Sequence, residues 1–513
     1  MKLALDLSKA GMRVLLLEQG GPAPEKPLAD PGCAFAEGER HHPHDETVRR
    51  GVGGTSAIWG GRCIPFDDAD FASPGWPITA ADVAPFYAGA CDFLDCGPAS
   101  FSAEPLPSDA GGLTSSRLER WCAEPSMQKR RGEELARSPG VETLLEATVT
   151  RIRLSPEGAV EGLSVMRDGE RMDIRARAYV VACGALETTR LLLASQAQTP
   201  AAFGGANGPL GRYYMGHLSG SIASVTFQQR GVDRDFLFLR DAAKRYTRRY
   251  FQLDDATRQA SGLLNMAARP ELPELYDASH RSGLLSLSYM GLAMPVIGPK
   301  LLSEPLRSRK LGPAGTPVAP HVLNVLRNPV SAVANATSFI HARYVGEGRM
   351  PGLFFTNPGR TYAFFYHAEH GADPESRIRI AASSGPDALP RLHVDLRYGE
   401  ADARSVVETH SAMEARLRGV ASLAYHMPEE ARIDAVTAQA RDGAHQIGTA
   451  RMSARPQDGV VDGDCRVHGA PNLFIAGSSV FRSSGQANPT LVAVALATRL
   501  AQHLKQSYAG LPV

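Results

Sequence analysis

Between Ala444 and Thr490 the chain places one titratable ring and one carboxamide beside two turns rich in backbone groups, and the rest must fold around that arrangement. The run Asn472-Leu473-Phe474-Ile475-Ala476-Gly477-Ser478-Ser479-Val480-Phe481 is apolar and opens into Gly-Ser-Ser. It predicts a buried strand ending in a turn that presents N–H groups. Asn488-Pro489-Thr490 then precedes apolar residues at helical spacing from Leu491 to Leu504. Asn488 reads as an N-cap and Pro489 as the first helical residue. Such a helix start offers free donors and partial positive charge, which suit an electron-rich ring or an oxyanion. His445, just before the strand, is the one residue of the region able to exchange a proton near neutral pH. Singly, His445 reads as well as a satisfied loop or core histidine and Asn488 as a plain cap; together they point to a site.

Three stretches carry a resemblance: His445-x-x-Gly448-Thr449-x-Arg451-Met452, then Asn472-Leu473 through Gly477-Ser478-Ser479-Val480-Phe481, then Ser484-Gly485-x-Ala487-Asn488-Pro489-Thr490. They resemble the C-terminal signature of the glucose-methanol-choline (GMC) flavin oxidoreductases. The resemblance implies that His445 is the active-site base and Asn488 its partner. It also implies that Pro489 and Thr490 start a helix under the pyrimidine end of the flavin, with Gly477 and Ser478 in the cofactor site. The fold it implies is α/β, a doubly wound, Rossmann-like FAD-binding domain with an inserted antiparallel-sheet substrate domain. Residues 1–75, 140–215 and 440–513 are expected to form the first, and 76–139 and 216–439 the second.

At the N-terminus, Leu3, Leu5, Leu7 and Ala10 suit a helix ending at Gly11, and Met12 to Glu18 reads as a buried parallel strand ending in an acid. This is the second half of a dinucleotide-binding βαβ unit, in which the strand-end acid bonds a ribose hydroxyl, so Glu18 is the candidate for the adenosine ribose. A first strand and a G-x-G-x-x-G loop of about 15–20 residues are expected just before it. The sequence begins after that point, which is read as a late start; the other reading is a flavin-free remnant acting as a binding protein.

Gly51, Gly53, Gly54, Gly60 and Gly61, interleaved with Thr55, Ser56 and Trp59, make a backbone that can approach a ligand closely. Within the resemblance this is the second flavin motif, most similar to that of the pyranose 2-oxidase branch. There a His just before the Trp can hold the flavin covalently; the position here is Ile58, which implies noncovalent FAD. The resemblance also implies that the Val149 backbone meets the adenine and that the Gly184-Ala185 turn closes over the dinucleotide. Cys183 reads as a small buried residue at that turn.

Basic residues number 55 and acidic ones 54, which gives no reason to expect nucleic acid or a strongly charged substrate. Seven cysteines without a Cys-x-x-Cys pair argue against a disulfide framework or a zinc site, and no signal peptide is read, so the cytoplasm is expected. His41, His42 and His44 have no carboxylate or cysteine at ligand spacing and read as a solvated loop. Asp67, Asp68 and Asp70 lack the Gly and Glu of a calcium loop and are also read as solvated. The pattern at Glu369, Pro374, Ser376 and Arg377 is similar to the family and reads as structural. Ser282 to Pro299 carries no charge and reads chiefly as a gating or buried segment, with peripheral membrane contact as the alternative.

The expected chemistry is oxidation of an alcohol, a sugar or glycoside by the motif's resemblance, to a carbonyl by hydride transfer to flavin N5. The alternative is a sterol or lipid-linked alcohol at a membrane surface. The electron acceptor stays open.

Overall fold

The computed structural model describes residues 1–513 except 26–32, 107–108, 110, 297, 299–309, 313–314, 328, 330–336, 338–349, 353, 383–384, 386–387 and 509–513. Helix α1 (Lys2–Lys9) buries Ala4, Leu5 and Leu7 and stops before Gly11, whose φ of +81° suits a residue without Cβ. Strand β1 (Val14–Leu17) pairs in parallel with β2 (Val141–Leu144). Glu146 then turns the chain into an antiparallel meander of β3 (Thr148–Leu154), β4 (Val160–Arg167) and β5 (Glu170–Ile174). Strand β6 (Tyr179–Val181) leads through Gly184 to helix α2 (Ala185–Gln196).

The next section is mostly antiparallel sheet, built on β7 (His217–Phe227) and β8 (Met266–Glu271). It continues through a helical pair, α3 (Gly283–Ala293) and α4 (Ala319–Arg327), to β9 (Thr361–Glu369), helix α5 (Glu400–Arg416) and β10 (Ala421–Tyr425). Six strands form one sheet in the order β10-β7-β9-β8-(Phe251–Leu253)-(Leu113–Thr114). Val406 and Met413 of α5 bury against Phe364 and Tyr366 of β9, so helix and sheet share a core. The chain then returns: β11 (Leu473–Ile475) pairs in parallel with β6, and helix α6 (Thr490–Tyr508) packs on α1. A second core, from Leu5 through Leu192 and Phe474 to Leu500, unites both chain ends. The first core is the sheet-rich layer and the second the dinucleotide-type layer, but residues from Ile78 to Cys96 together with Cys122, Met127 and Leu135, expected in the substrate domain, pack into the second because Tyr87–Leu94 lies against α6.

Several local expectations are corrected. Among the described residues parallel pairing joins β1 with β2, β6 with β11, and the short strands Cys33–Phe35 and Leu392–Asp395, in separate sheets. With a partner on one edge only among the described residues, β1 is half-buried and Leu15 is 40% exposed. His41 and His44 are buried, not solvated. The His41 ring stacks on Phe35 at 4.4 Å, bonds the Tyr214 hydroxyl at 2.8 Å, and lies where a Cβ on Gly443 would sit. His44 meets Glu187 at 3.0 Å.

Asp67 and Asp70 are buried as well, with only Asp68 exposed. Asn265 Nδ2 donates to both carboxylates, at 2.9 and 2.8 Å, and Arg117 pairs with Asp67 at 3.2 Å. Their partners lie far away in sequence, which is why local composition misses them. Cys183 is exposed by surface area, in the turn between β6 and α2. Of the uncharged segment, α3 buries Leu285, Tyr289 and Leu292 against α4, with Tyr289 stacked on His321 at 4.1 Å; Ile297 and Pro299 lie outside the described residues. No helix among the described residues is long and apolar enough to cross a membrane.

Candidate active site

His445 and Asn488 meet: Asn488 Nδ2 lies 2.7 Å from His445 Nε2. The other end of the carboxamide settles its polarity, since Asn488 Oδ1 accepts from Arg62 Nη1 at 3.0 Å and a guanidinium only donates. Nδ2 therefore donates to Nε2, which is the lone-pair nitrogen. The proton of the ring sits on Nδ1, which donates to Asp442 Oδ2 at 3.0 Å. This assignment follows from the hydrogen-bond network. Asn488 does not cap the helix as expected. Helix α6 starts at Thr490, Pro489 O accepts from Ala493 N at 2.9 Å, and the Asn488 side chain spans His445 and Arg62.

Asp442 escapes sequence reading. Its Oδ1 accepts from the N–H groups of Gly443, Ala444 and His445 at 2.7, 2.9 and 3.1 Å, and its Oδ2 from His217 N at 2.8 Å. Burial pushes this carboxyl up, but the His445 ring beside it and the donors from His217 and His445 outweigh burial and hold it well below the usual carboxylate range. The available signal was an acid three residues before the histidine, the spacing of a side chain that closes its own turn.

Two further histidines arrive from the sheet. His217 of β7 and His367 of β9 stack at 4.3 Å, and the His445 ring stands edge-on to them at 4.8 and 5.6 Å. Burial pushes His217 down to about 4, and burial with the neighbouring His217 ring and Arg62 holds His367 well below the usual range, so both rings are neutral near pH 7. Arg62 is anchored behind Asn488 by an ion pair with the fully buried Glu119. Chemically, the pocket offers one oriented base, one amide donor and neutral imidazole walls.

The residues expected to hold a cofactor fall into two groups. In one, Glu18 Oε1 at the end of β1 accepts from Gly20 N and Gly51 N at 2.9 and 2.8 Å. Gly53 and Gly54, at φ +92° and +52°, start a short turn of 3-10 helix. There Thr55 Oγ1 accepts from Arg49 N and Ser56 Oγ from Met127 N. Trp59 Nε1 donates to Pro125 O at 2.7 Å, so its indole braces the motif. Ala147 N donates to Glu18 O, which brings the start of β3 and hence the half-buried Val149 alongside.

In the other group, Gly184 at φ +77° heads α2, Ala185 is buried behind it, and Leu186 N donates to Gln446 Oε1 at 3.3 Å. Gly477 precedes the Ser478 turn, and Ser478 Oγ donates to Gln446 O at 2.6 Å. Gln446 thus ties both turns to His445, while Pro489 and Thr490 follow Asn488. The Arg62–Asn488 contact joins the two groups. An acid braced by glycine N–H groups, positive-φ glycines and an outward-facing strand-to-helix turn at 182–184 fit a dinucleotide.

Residues 372–497, from the end of β9 into α6, match the family model described as GMC oxidoreductase. The chain carries the C-terminal domain of the GMC oxidoreductases. His445, the Gly477-Ser478 turn and Asn488 to Thr490 all lie within that GMC domain. The chain is 30% identical to paromamine 6'-oxidase of Streptomyces fradiae over 25% of its length and 22% of that protein's. It is 47% identical to C-glycoside 3-oxidase of Microbacterium trichothecenolyticum over 12% of each. These alignments span less than a quarter of either relative. Over the whole chain the fold is similar to that of pyridoxine 4-oxidase from Mesorbium loti, whose structure superposes with a TM-score of 0.53 at 17% identity, covering 98% of this chain and 96% of that one.

Proposed function

We propose that this chain is an FAD-dependent oxidoreductase acting on CH–OH groups, with a sugar or glycoside as substrate. The reading is carried by His445, whose Nε2 lone pair faces the carboxamide of Asn488 inside the GMC domain. The similarity to a paromamine oxidase and a C-glycoside oxidase supports a glycosidic substrate.

FAD would be held by the Glu18, Gly53–Ser56, Gly184–Ala185 and Gly477–Thr490 groups and would supply a hydride acceptor for the carbinol carbon. The chain's own residues do the rest. With the alcohol oxygen between them in place of their mutual contact, His445 Nε2 takes the hydroxyl proton as general base, and Asn488 Nδ2 donates to the substrate oxygen as negative charge develops there. Asp442 fixes the ring's tautomer, and Arg62 fixes the carboxamide.

Asp442→Asn can place an N–H against Nδ1 and lose the compensating charge. It is expected to lower the rate of flavin reduction roughly 10–100-fold at unchanged flavin content; an unaltered rate in stopped flow means that Asp442 only builds the loop. Because Ile58 offers no nucleophile beside Trp59, acid precipitation of the yellow protein is expected to release the flavin into the supernatant; colour kept in the pellet means a covalent link elsewhere. A protein that purifies colourless and cannot be reconstituted with FAD supports the flavin-free reading.

A lipid-linked alcohol is the second reading. It draws on Leu287, Met294, Val296 and Leu326, exposed on and beside the α3–α4 pair. Cosedimentation with anionic lipid vesicles separates it from the sugar reading.

A further inference from the structure

Alcohol oxidation as proposed needs one imidazole, yet three converge. One ring nitrogen from each of His217, His367 and His445 lies within 4.8 Å of the others. The second nitrogen of each ring is engaged: His367 Nδ1 with Gln486 O at 2.7 Å, His217 Nε2 with Ser484 O at 3.3 Å, and His445 Nδ1 with Asp442 Oδ2 at 3.0 Å. Carbonyl and carboxylate oxygens only accept, so His367 Nδ1 and His445 Nδ1 carry the proton, while His217 faces an acceptor at each nitrogen, Ser484 O at Nε2 and Asp442 Oδ2 at Nδ1. His367 Nε2 and His445 Nε2 are left as lone pairs, and His217 offers Nδ1 when its proton sits on Nε2. Ring N–H groups donated to carbonyls or a carboxylate, with the other ring nitrogen left for a ligand, are the outer-shell arrangement that orients metal-binding histidines.

A second observation concerns His217 alone. Its Nδ1 is buried without a hydrogen-bond partner, and Asp442 Oδ2 faces it at 3.6 Å. A cation that takes Nδ1 there also lies beside the Asp442 carboxylate, whose charge favours it.

We propose that His217, His367 and His445 form a site for a borderline divalent transition-metal ion of the zinc class, bound in competition with the alcohol. Three neutral imidazoles select zinc, copper or nickel over magnesium or calcium. Zn–N bonds of ~2.0–2.1 Å set a tetrahedral nitrogen–nitrogen edge of ~3.3 Å, so the rings close by about 1.5 Å at most. A water or Asp442 Oδ2 completes the coordination. The ion takes the His445 lone pair from the Asn488 amide, and no proton can then be abstracted there. This consequence for catalysis rests on the proposed oxidation; the binding does not.

The test dialyses chelator-stripped, flavin-loaded protein against zinc chloride. One zinc per chain is expected, with affinity reduced about tenfold or more in His217→Phe and in His367→Phe. X-ray absorption of the unmutated zinc protein is expected to show nitrogen and oxygen ligands only, and this reads the site even if a variant does not fold. Zinc is also expected to inhibit flavin reduction competitively with the alcohol, reversed by chelator. Absence of stoichiometric zinc, sulfur ligation, or equal zinc in both folded variants overturns the site. Zinc bound through nitrogen in a protein whose flavin no alcohol reduces overturns the oxidation and leaves the site standing.

Discussion

Replacing His445 by alanine is expected to lower the rate of alcohol oxidation by about 10²–10⁴-fold, the usual loss when a general base is removed. The size follows from the site's layout. Nε2 is the lone-pair nitrogen aimed at the Asn488 amide, and the neighbouring imidazoles do not replace it: His217 Nδ1 faces Asp442, and burial holds both His217 and His367 short of proton uptake near neutral pH. FAD content is expected to stay at the unmutated level, because the ring's contacts are to Asp442, Asn488 and the two histidines rather than to the glycine turns. The variant leaves Asp442 one donor short, so a loss of stability of about 1–3 kcal/mol accompanies it, and the melting temperature belongs beside the kinetics. Steady-state turnover with a responsive glycoside, normalised to bound flavin, checks the result.

The second large effect is on stability in acid. His41 and His410 are both buried, and burial pushes each down to about 4. His41 lies between Phe35 and Tyr214, and His410 between the edges of Phe364 and Tyr366. In the unfolded chain each ring takes a proton near pH 6.5, while the folded chain refuses it until about 4. The unfolded state therefore binds more protons in that window, and stability falls as pH falls. Each ring costs on the order of 3 kcal/mol across it, so two consume a large part of the roughly 5–15 kcal/mol that holds a domain folded.

Asp70, raised well above the carboxylate range by burial first and Asp67 next, works in the opposite sense, since its burial is relieved in acid. Cooperative unfolding at room temperature is expected before pH 4, with melting temperatures flat above about pH 7. His410→Phe, set between the same two rings, is expected to flatten the slope. Calorimetry across this range decides it, and an unchanged melting temperature from pH 7 to 4.5 contradicts the burial argument.

How much of this was legible in the chain depended on range. His445 and Asn488 stand in one stretch with the Gly477 turn, and the resemblance to the GMC signature implies that they are partners, while α1, α2 and α6 follow from apolar spacing with a glycine or proline at their ends. Asp442 was hidden because its role rests on three consecutive backbone donors and a strand from far away in the chain. His217 and His367 sit within sheet strands, where alternation marks burial but not which cavity a ring enters. Arg62 stood inside a glycine motif read for its backbone, and only the fold shows that its guanidinium reaches Asn488. The buried Asp67 and Asp70 were misread for the same reason, since Asn265 and Arg117 come from other strands and loops. Asn488 itself reads as a cap because Asn-Pro at a helix start is the common pattern, and in the fold the amide serves the histidine.

The most direct measurement mixes the flavin-loaded protein anaerobically with an excess of glycoside in a stopped-flow instrument and follows the flavin absorbance, side by side for the unmutated chain and His445→Ala. The account predicts full bleaching in a single phase for the unmutated chain and bleaching slowed by about 10²-fold or more in the variant at equal flavin content. Equal bleaching rates in the two proteins would contradict it, as would a flavin that no sugar, glycoside or simple alcohol reduces.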